Sequence, residues 1–247
     1  DQKVFRGRRV ALAKIDIVSH TNLTYGMPYG MKRLFQDLWF TQVDREFGSL
    51  SFVDKNVGDG SIYCVDEKAV ATPAWATLQT ILKIKDQTLQ EFWLRFQEEI
   101  QIKLLKEPEI RPAYESFLES FKTRMAYDFW DHRLDIYASI VFGFVDEGLW
   151  GAMEQSHYDV QGDLVTLAAR LEGLAEAGDI LIDEYFGVQL AQEEQSFMFD
   201  SLNWEQIQLK GLNTQTKVAR LQKKQRLKDQ NSNNRSQVSV TLKKAFK

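Results

Sequence analysis

The order in which the hydrophobic period changes along the chain limits its fold most. Arg9 to Val18 is dense in β-branched and aliphatic residues and reads as a buried strand whose end is Asp16-Ile17-Val18-Ser19-His20-Thr21. Ser19, Thr21 and Asn22 are helix-capping types. Tyr29 to Phe47 then places Met31, Leu34, Phe35, Leu38 and Trp39 at helical spacing, with Gly48 as the stop. Leu50 to Val53 and Ser61 to Val65 are short strands joined by Asn56-Val57-Gly58-Asp59-Gly60, whose glycines permit the left-handed conformations of a tight hairpin. Thr72 to Leu105 predicts one long helix or two consecutive ones, Pro108 and Pro112 interrupt it, and Ala113 to Phe121 predicts a short helix. Strands are expected near Thr123 to Trp130 and Leu134 to Phe144, with Asp131-His132-Arg133 as the turn. Val145 to His157 reads as irregular. Gly162 to Ala177 is a helix striped by Leu164, Leu167, Ala168, Leu171 and Leu174 and stopped by Gly178. Asp179 to Ile182, Trp204 to Leu209 and Lys217 to Leu221 complete the strands.

The order β-α-β-β-α-β, with C-terminal additions, predicts an α+β fold, an α/β sandwich of ferredoxin-like type. Its sheet is expected to be rich in antiparallel pairs, with helices packed on one face. Such a fold alone assigns no function. The 247 residues, 44% hydrophobic and 27% charged with 4 Pro, suit one soluble domain and exclude collagen-like, disulfide-scaffold and bulk-disordered classes. A single cysteine, Cys64, makes no intrachain disulfide, which favours a reducing compartment, with the cytoplasm as the default. The longest apolar stretch, Ile140 to Val145, is strand-sized, so no membrane span is expected. The chain begins with Asp1 and reads as a piece of something longer, which leaves a membrane or sensor segment upstream open.

The net charge of −4 hides an asymmetry. From Leu221 to Lys247 eight Lys or Arg face one acid, Asp229, so this tail is +7 and residues 1–220 are −11. With its polar run Asp229-Gln230-Asn231-Ser232-Asn233-Asn234-Arg235, the tail reads as a solvated linker or terminus. No aromatic interleaving supports a nucleic-acid arm, and no nucleic-acid partner is expected. Three parts follow: an N-terminal segment over 1–8, a domain over 9–221 with an enlarged helical region at about 83–121, and the basic tail over 222–247.

Two carboxylates stand out, Asp16 at the end of the first strand and Asp59 at the hairpin tip expected beside it. Neighbouring strands lie under about 5 Å apart, so the two acids can meet at one pair of hard divalent cations. The plainer alternatives are that Asp16 caps the following helix and Asp59 suits a turn. No phosphate loop, dinucleotide fingerprint, His-Glu-x-x-His or cysteine pair competes with them. His20, His132 and His157 are scattered and read as surface or packed residues, and Cys64 reads as core.

Four motifs in order carry a resemblance. They are Asp16-Ile17-Val18-Ser19-His20-Thr21; Lys55-Asn56-Val57-Gly58-Asp59-Gly60; Tyr158-Asp159-Val160-Gln161-Gly162-Asp163 running through to Leu174; and Gln208-Leu209-Lys210-Gly211-Leu212. Together, over about Arg9 to Leu221, the chain resembles the class III nucleotidyl cyclase catalytic domain. The resemblance implies an adenylate cyclase that converts ATP to 3′,5′-cyclic AMP and pyrophosphate. It implies two Mg²⁺ or Mn²⁺ ions held by Asp16, Asp59 and the Ile17 carbonyl, Arg170 serving the transition state, and Lys210 on the terminal phosphates. It also implies Lys55 and Asp159 as the base-reading pair; the plainer alternatives are that Lys55 is a hairpin-edge charge and Asp159 a helix-entry cap. A Lys donor with an Asp acceptor fits adenine N1 and N6, whereas guanine is better met by an acid such as Glu. Both half-sites lie on one chain, so a head-to-tail homodimer with two equivalent sites is implied.

The chain departs from the family pattern at several places. Thr166 stands where an Asn usually orients the ribose, His20 where a Phe is usual, and Met125-Ala126-Tyr127-Asp128 lacks the expected glycines. Lys83 to Phe121 is longer than the family needs, and Asp146 to His157 is idiosyncratic. These departures leave open a cyclase of other base specificity, guanylate or pyrimidine, and a catalytically weak regulatory or dimerisation module.

Overall fold

The computed structural model describes residues 6–57, 60–150, 157–194, 199–211 and 215–221. Asp59, the first five residues and the basic tail lie outside the described residues. In chain order the elements are β1 (Arg6–Ile17), α1 (His20–Thr24), α2 (Tyr29–Phe47), β2 (Ser51–Val57), β3 (Gly60–Val65) and α3 (Pro73–Lys83). A π turn (Ile84–Thr88) leads into α4 (Leu89–Lys106), then α5 (Arg111–Met125), β4 (Ile136–Trp150), β5 (His157–Gln161) and α6 (Asp163–Glu172). The described chain closes with β6 (Ile180–Asp183), α7 (Glu184–Glu193), β7 (Trp204–Gln208) and β8 (Gln215–Arg220).

One sheet runs β2-β3-β1-β4-β6-β8-β7, with β5 paired to β4 off this path. The pairs β2–β3, β3–β1 and β1–β4 are antiparallel, and β4–β6 is parallel. The first four strands of the sheet order therefore form the expected ferredoxin-like core, and β6, β8 and β7 extend it.

Strand alternation makes two cores out of β1. Ala11, Ala13, Ile15 and Ile17 face the larger one, shared with α2, α3, α4, α5 and α7, while Val10 and Leu12 face a smaller one with Leu164, Ala168 and Leu171 of α6. The helices therefore pack on both faces, which corrects the one-face expectation. Periodicity shows that a helix has an apolar stripe; it does not show which side of the sheet receives the stripe.

Local expectations hold where one stripe decides them. The helix Tyr29–Phe47 is present as read, and Thr72 to Leu105 becomes two consecutive helices around the π turn. The expected strand over Thr123 to Trp130 is absent: the last turn of α5 continues to Met125, and Phe129–Asp131 is a 3₁₀ turn. The reason is burial. Phe121 and Phe129 lie edge to face at 5.0 Å, and Trp93 meets Phe129 at 5.1 Å. Phe35 and Phe92 extend this aromatic cluster at 4.9 Å, which draws the segment in as a helix end instead of a strand. The glycines of this region fall later, at Gly143 and Gly148 of β4.

Part of the segment read as irregular is ordered: β4 continues to Trp150 and β5 begins at His157, while residues 151–156 lie outside the described residues. The helix expected to reach Ala177 ends at Glu172, and turns lead to Gly178. Helix α7 was not expected at all. Asp183 caps it by accepting the Phe186 N–H at 3.1 Å.

Candidate active site

The end of β1 is built to leave a carboxylate beside the β2–β3 hairpin. Ile15 pairs with Ser61, and a Cβ placed on Gly60 would lie 3.5 Å from the Asp16 carboxyl carbon and 3.0 Å from the Ile15 carbonyl oxygen. A side chain here would force its neighbour to give by a few tenths of an ångström, so glycine suits this close approach of the hairpin. Asp16 does not cap α1; the cap position is Ser19, and Asp16 accepts the Ile17 N–H at 2.7 Å. The next link is also fixed, because the Val18 N–H donates to the Asp135 carbonyl at 2.9 Å. Asp16 is a hard oxygen donor at the hairpin's side, as a divalent cation requires. The second expected acid, Asp59, adjoins Gly60 in sequence but lies outside the described residues. Among the described residues no group of three or more His, Cys, Asp or Glu is placed to hold a metal ion.

Lys14, two residues before Asp16, escaped the sequence reading. Its Nζ is 3.5 Å from the same Gly60 Cβ position and donates to Glu172 at 2.6 Å, tying β1 to the end of α6. A charge set between the buried Ala13 and Ile15 was the available signal.

A second feature joins two residues 104 positions apart. Lys55 Nζ donates to the Asp159 carboxylate at 2.5 Å, with Asp159 only 2% exposed and Lys55 38% exposed. Asp159 sits in β5 and also accepts the Val160 N–H at 2.8 Å; the helix after it is capped by Gly162, so Asp159 is not a helix cap. Val53 of β2 and Val160 of β5 share the smaller core, which carries the β4–β5 arm over that face of the sheet to Lys55.

Thr166 and Arg170 lie one turn apart on the exposed face of α6, opposite the buried Leu164, Ala168 and Leu171. The Thr166 hydroxyl makes a long 3.5 Å contact to the Gly162 carbonyl. Lys210 is exposed in the turn that follows β7. Beside α6 an open cleft of about 1160 Å³ is lined by Arg9, Asp163, Leu167, Glu184, Gly211 and Lys217, among others.

The other readings resolve simply. Cys64 is fully buried, and burial pushes its thiol well above the ordinary range, so it is core. His20 is buried and packs near Phe35 at 5.6 Å, and His132 stacks on Tyr127. The His157 side chain lies outside the described residues.

This topology, with an acid at the end of β1, a glycine-bearing hairpin beside it and a Lys–Asp pair across the arm, defines a nucleotidyl-cyclase type of domain. The sequence model of the Adenylate and Guanylate cyclase catalytic domain matches residues 6–223, and the chain belongs to that family. Among solved structures it is similar to the adenylyl cyclase CyaB from P. aeruginosa, at 18% identity and TM-score 0.59, covering 88% of this chain and 95% of that one. The guanylyl cyclase Cya2 follows at 15% identity and TM-score 0.58, covering 87% and 92%. The guanylate cyclase domain of RhGC from Catenaria anguillulae, in complex with GTP, matches at 15% identity and TM-score 0.55, covering 88% and 98%. At these identities the likeness is one of fold. No curated protein matches the sequence. Among the described residues no helix is long and apolar enough to cross a membrane.

Proposed function

We propose that this domain is an adenylate cyclase that converts ATP to 3′,5′-cyclic AMP and pyrophosphate at the interface of a head-to-tail homodimer. The observation that carries the reading is the Lys55–Asp159 pair: one ammonium and one buried carboxylate 2.5 Å apart. Nζ carries three protons and the carboxylate is acceptor-only, so the pair offers a donor for adenine N1 and an acceptor for the N6 amine. Guanine presents the opposite polarity at its N1 and its C6 substituent.

Asp16, with Asp59 and the Ile17 carbonyl, would hold two Mg²⁺ or Mn²⁺ ions. When bound, these ions acidify the ribose 3′-hydroxyl and neutralise the triphosphate. In this reading, Asp16 comes from one protomer, and the partner contributes Lys55 and Asp159 to hold the base. The exposed guanidinium of Arg170 meets the charge that develops on the α-phosphoryl oxygens and the leaving pyrophosphate. Lys210 holds the terminal phosphates, and the Thr166 hydroxyl orients the ribose ring. The 3′-hydroxyl gives its proton to solvent and its oxygen forms the new bond to the α-phosphorus, as the bond from the α-phosphorus to the oxygen bridging it to the β-phosphate breaks and pyrophosphate leaves.

The test is a turnover assay of the purified protein with ATP, GTP, CTP and UTP, each with Mn²⁺. Cyclic AMP as the main product is expected, and a dimer that forms no cyclic nucleotide would overturn the reading. A second reading, a module that binds nucleotide and cyclises it weakly, is favoured by Thr166, whose short side chain lacks the reach of an amide. Tight ATP binding without pyrophosphate release would select it.

A further inference from the structure

The base-reading pair is only as well defined as the two strands that carry it, and those strands are not sheet neighbours. Lys55 is on β2, at one edge of the sheet; among the described residues Asp159, on β5, is paired to the far end of β4. One side chain links the parts involved, reaching β5 through Glu147. Arg8, on β1 and 18% exposed, donates from Nε to Asp66 at 2.5 Å and from Nη1 to Glu147 at 2.8 Å. Its guanidinium carbon lies 3.5 Å from the centre of the Phe52 ring. Phe52 is on β2, three residues before Lys55. Asp66 follows β3 and is itself held by the N–H groups of Lys68 and Ala69, at 3.1 and 3.2 Å. Glu147 is on β4 beside Gly148, the register partner of Asp159, and it also accepts the Tyr158 hydroxyl at 2.6 Å. Tyr158 is the residue immediately before Asp159.

We propose that Arg8 is a positioning residue for base recognition: by joining Phe52, Asp66 and Glu147, and Tyr158 through Glu147, it sets the separation of Lys55 and Asp159 and so the discrimination among nucleobases. The proposal rests on the cyclase reading above for the identity of the ligand, a nucleoside triphosphate. Its physical basis is that a planar guanidinium is bidentate and stacks at once, so it fixes direction as well as distance. Discrimination by hydrogen bonds to a base is sensitive to such placement, because a misplaced partner leaves a buried polar group unpaired. The protonation states agree. Burial alone would raise the carboxyls of Asp66 and Glu147, yet the hydrogen bonds that reach them, from Arg8 to both and from Tyr158 to Glu147, with the charge of Arg8, hold them below their ordinary values. The network is therefore fully charged near neutrality.

The experiment compares wild type, Arg8→Met, Arg8→Lys and Tyr158→Phe as full chains. It measures kcat and KM for ATP and for GTP, the affinities of fluorescent ATP and GTP analogues, and thermal melting. The expected result is that Arg8→Met melts cooperatively but lowers the ATP-to-GTP ratio of kcat/KM by about ten-fold, mainly through KM. Arg8→Lys should recover part of the ratio, since an ammonium keeps the charge for the two acids but lacks the planar fork that fixes direction and stacks on Phe52. Tyr158→Phe, which removes one hydroxyl, should lower it by about two- to three-fold. Folded variants whose ratio matches wild type would overturn the proposal while leaving the cyclase reading intact. If Arg8→Met does not fold, Tyr158→Phe decides alone by the same ratio. If wild type binds the analogues without cyclising ATP, the cyclase reading fails and the ratio of affinities decides the role of Arg8; if it binds neither, both fall.

Discussion

At the scale of single residues, the exposed and the close-packed positions of the candidate site predict opposite kinds of failure. Arg170 contributes little to the fold, because its face of α6 is exposed while Leu164, Ala168 and Leu171 pack beneath. Arg170→Ala is therefore expected to melt within about 0.5 kcal/mol of wild type, while kcat for cyclic nucleotide formation falls by about 100-fold or more with little change in KM. Steady-state kinetics beside a melting curve checks this, and a variant with near-normal kcat would remove Arg170 from the transition state. Gly60 behaves differently. An added methyl would press on the Ile15 carbonyl at 3.0 Å and come into contact with Asp16 at 3.5 Å, so β3 and the end of β1 must shift apart by a few tenths of an ångström. Gly60→Ala is expected to weaken the Mn²⁺ dependence of turnover, raising the metal concentration for half-maximal rate by about ten-fold. An unchanged metal titration would show that the hairpin's approach to Asp16 is not needed.

At the scale of elements, α7 is the sharpest test of packing because it docks through a glycine. A Cβ on Gly187 would fall 2.7 Å from Trp204 and 2.9 Å from Phe199, rings that cannot slide away as a flexible side chain would. Gly187→Ala improves helix propensity by about 1 kcal/mol, yet overpacking costs roughly 1–3 kcal/mol, so net destabilisation is expected by urea melting. A stabilised variant would mean that β7 repacks freely. This helix was also the one the sequence hid. Its inward residues, Phe186 and Leu190, give only a short stripe, and Gly187 interrupts the pattern; the cap Asp183 was the one local sign. The helix Tyr29–Phe47 was legible because its buried residues Met31, Phe35, Trp39 and Val43 repeat over four turns. The mistaken strand at Thr123 to Trp130 shows the converse, since Phe129 is drawn in by Trp93 of α4 as well as by the nearer Phe117 and Phe121, and a local window does not show that α4 packs there. The same holds for the site. Asp16, Lys55 and Asp159 were legible as motif positions, whereas the support around Arg8 requires β1, β2, β4 and β5 to meet and has no local signature.

At the scale of the whole molecule, buried and half-buried carboxylates of opposite character shape stability against pH. Asp66 and Glu147 have carboxyls held below 3.8 and 4.5, so the stability they contribute is complete above those values and is lost as pH falls through the lower folded ones. Asp183 is the reverse case. It is 1% exposed where β6 meets α7, and burial pushes its carboxyl from 3.8 up to about 7, although the N–H groups of Phe186 and Phe142 partly oppose this. Between those two values the folded chain keeps a proton that the unfolded chain has released. Stability from this group is therefore full below 3.8 and declines as pH rises toward about 7. The two limbs together place maximum stability in the mildly acidic range. Asp183→Asn keeps an oxygen to accept the Phe186 N–H and cap α7, and removes the titration. The variant is expected to flatten the decline above pH 4 and to melt about 3 °C above wild type at pH 8, while the acid limb set by Arg8, Asp66 and Glu147 stays where it was. Melting temperatures of both proteins across pH 3–9 decide it: parallel curves would show that Asp183 titrates as an ordinary carboxylate, and the alkaline limb would then need another source.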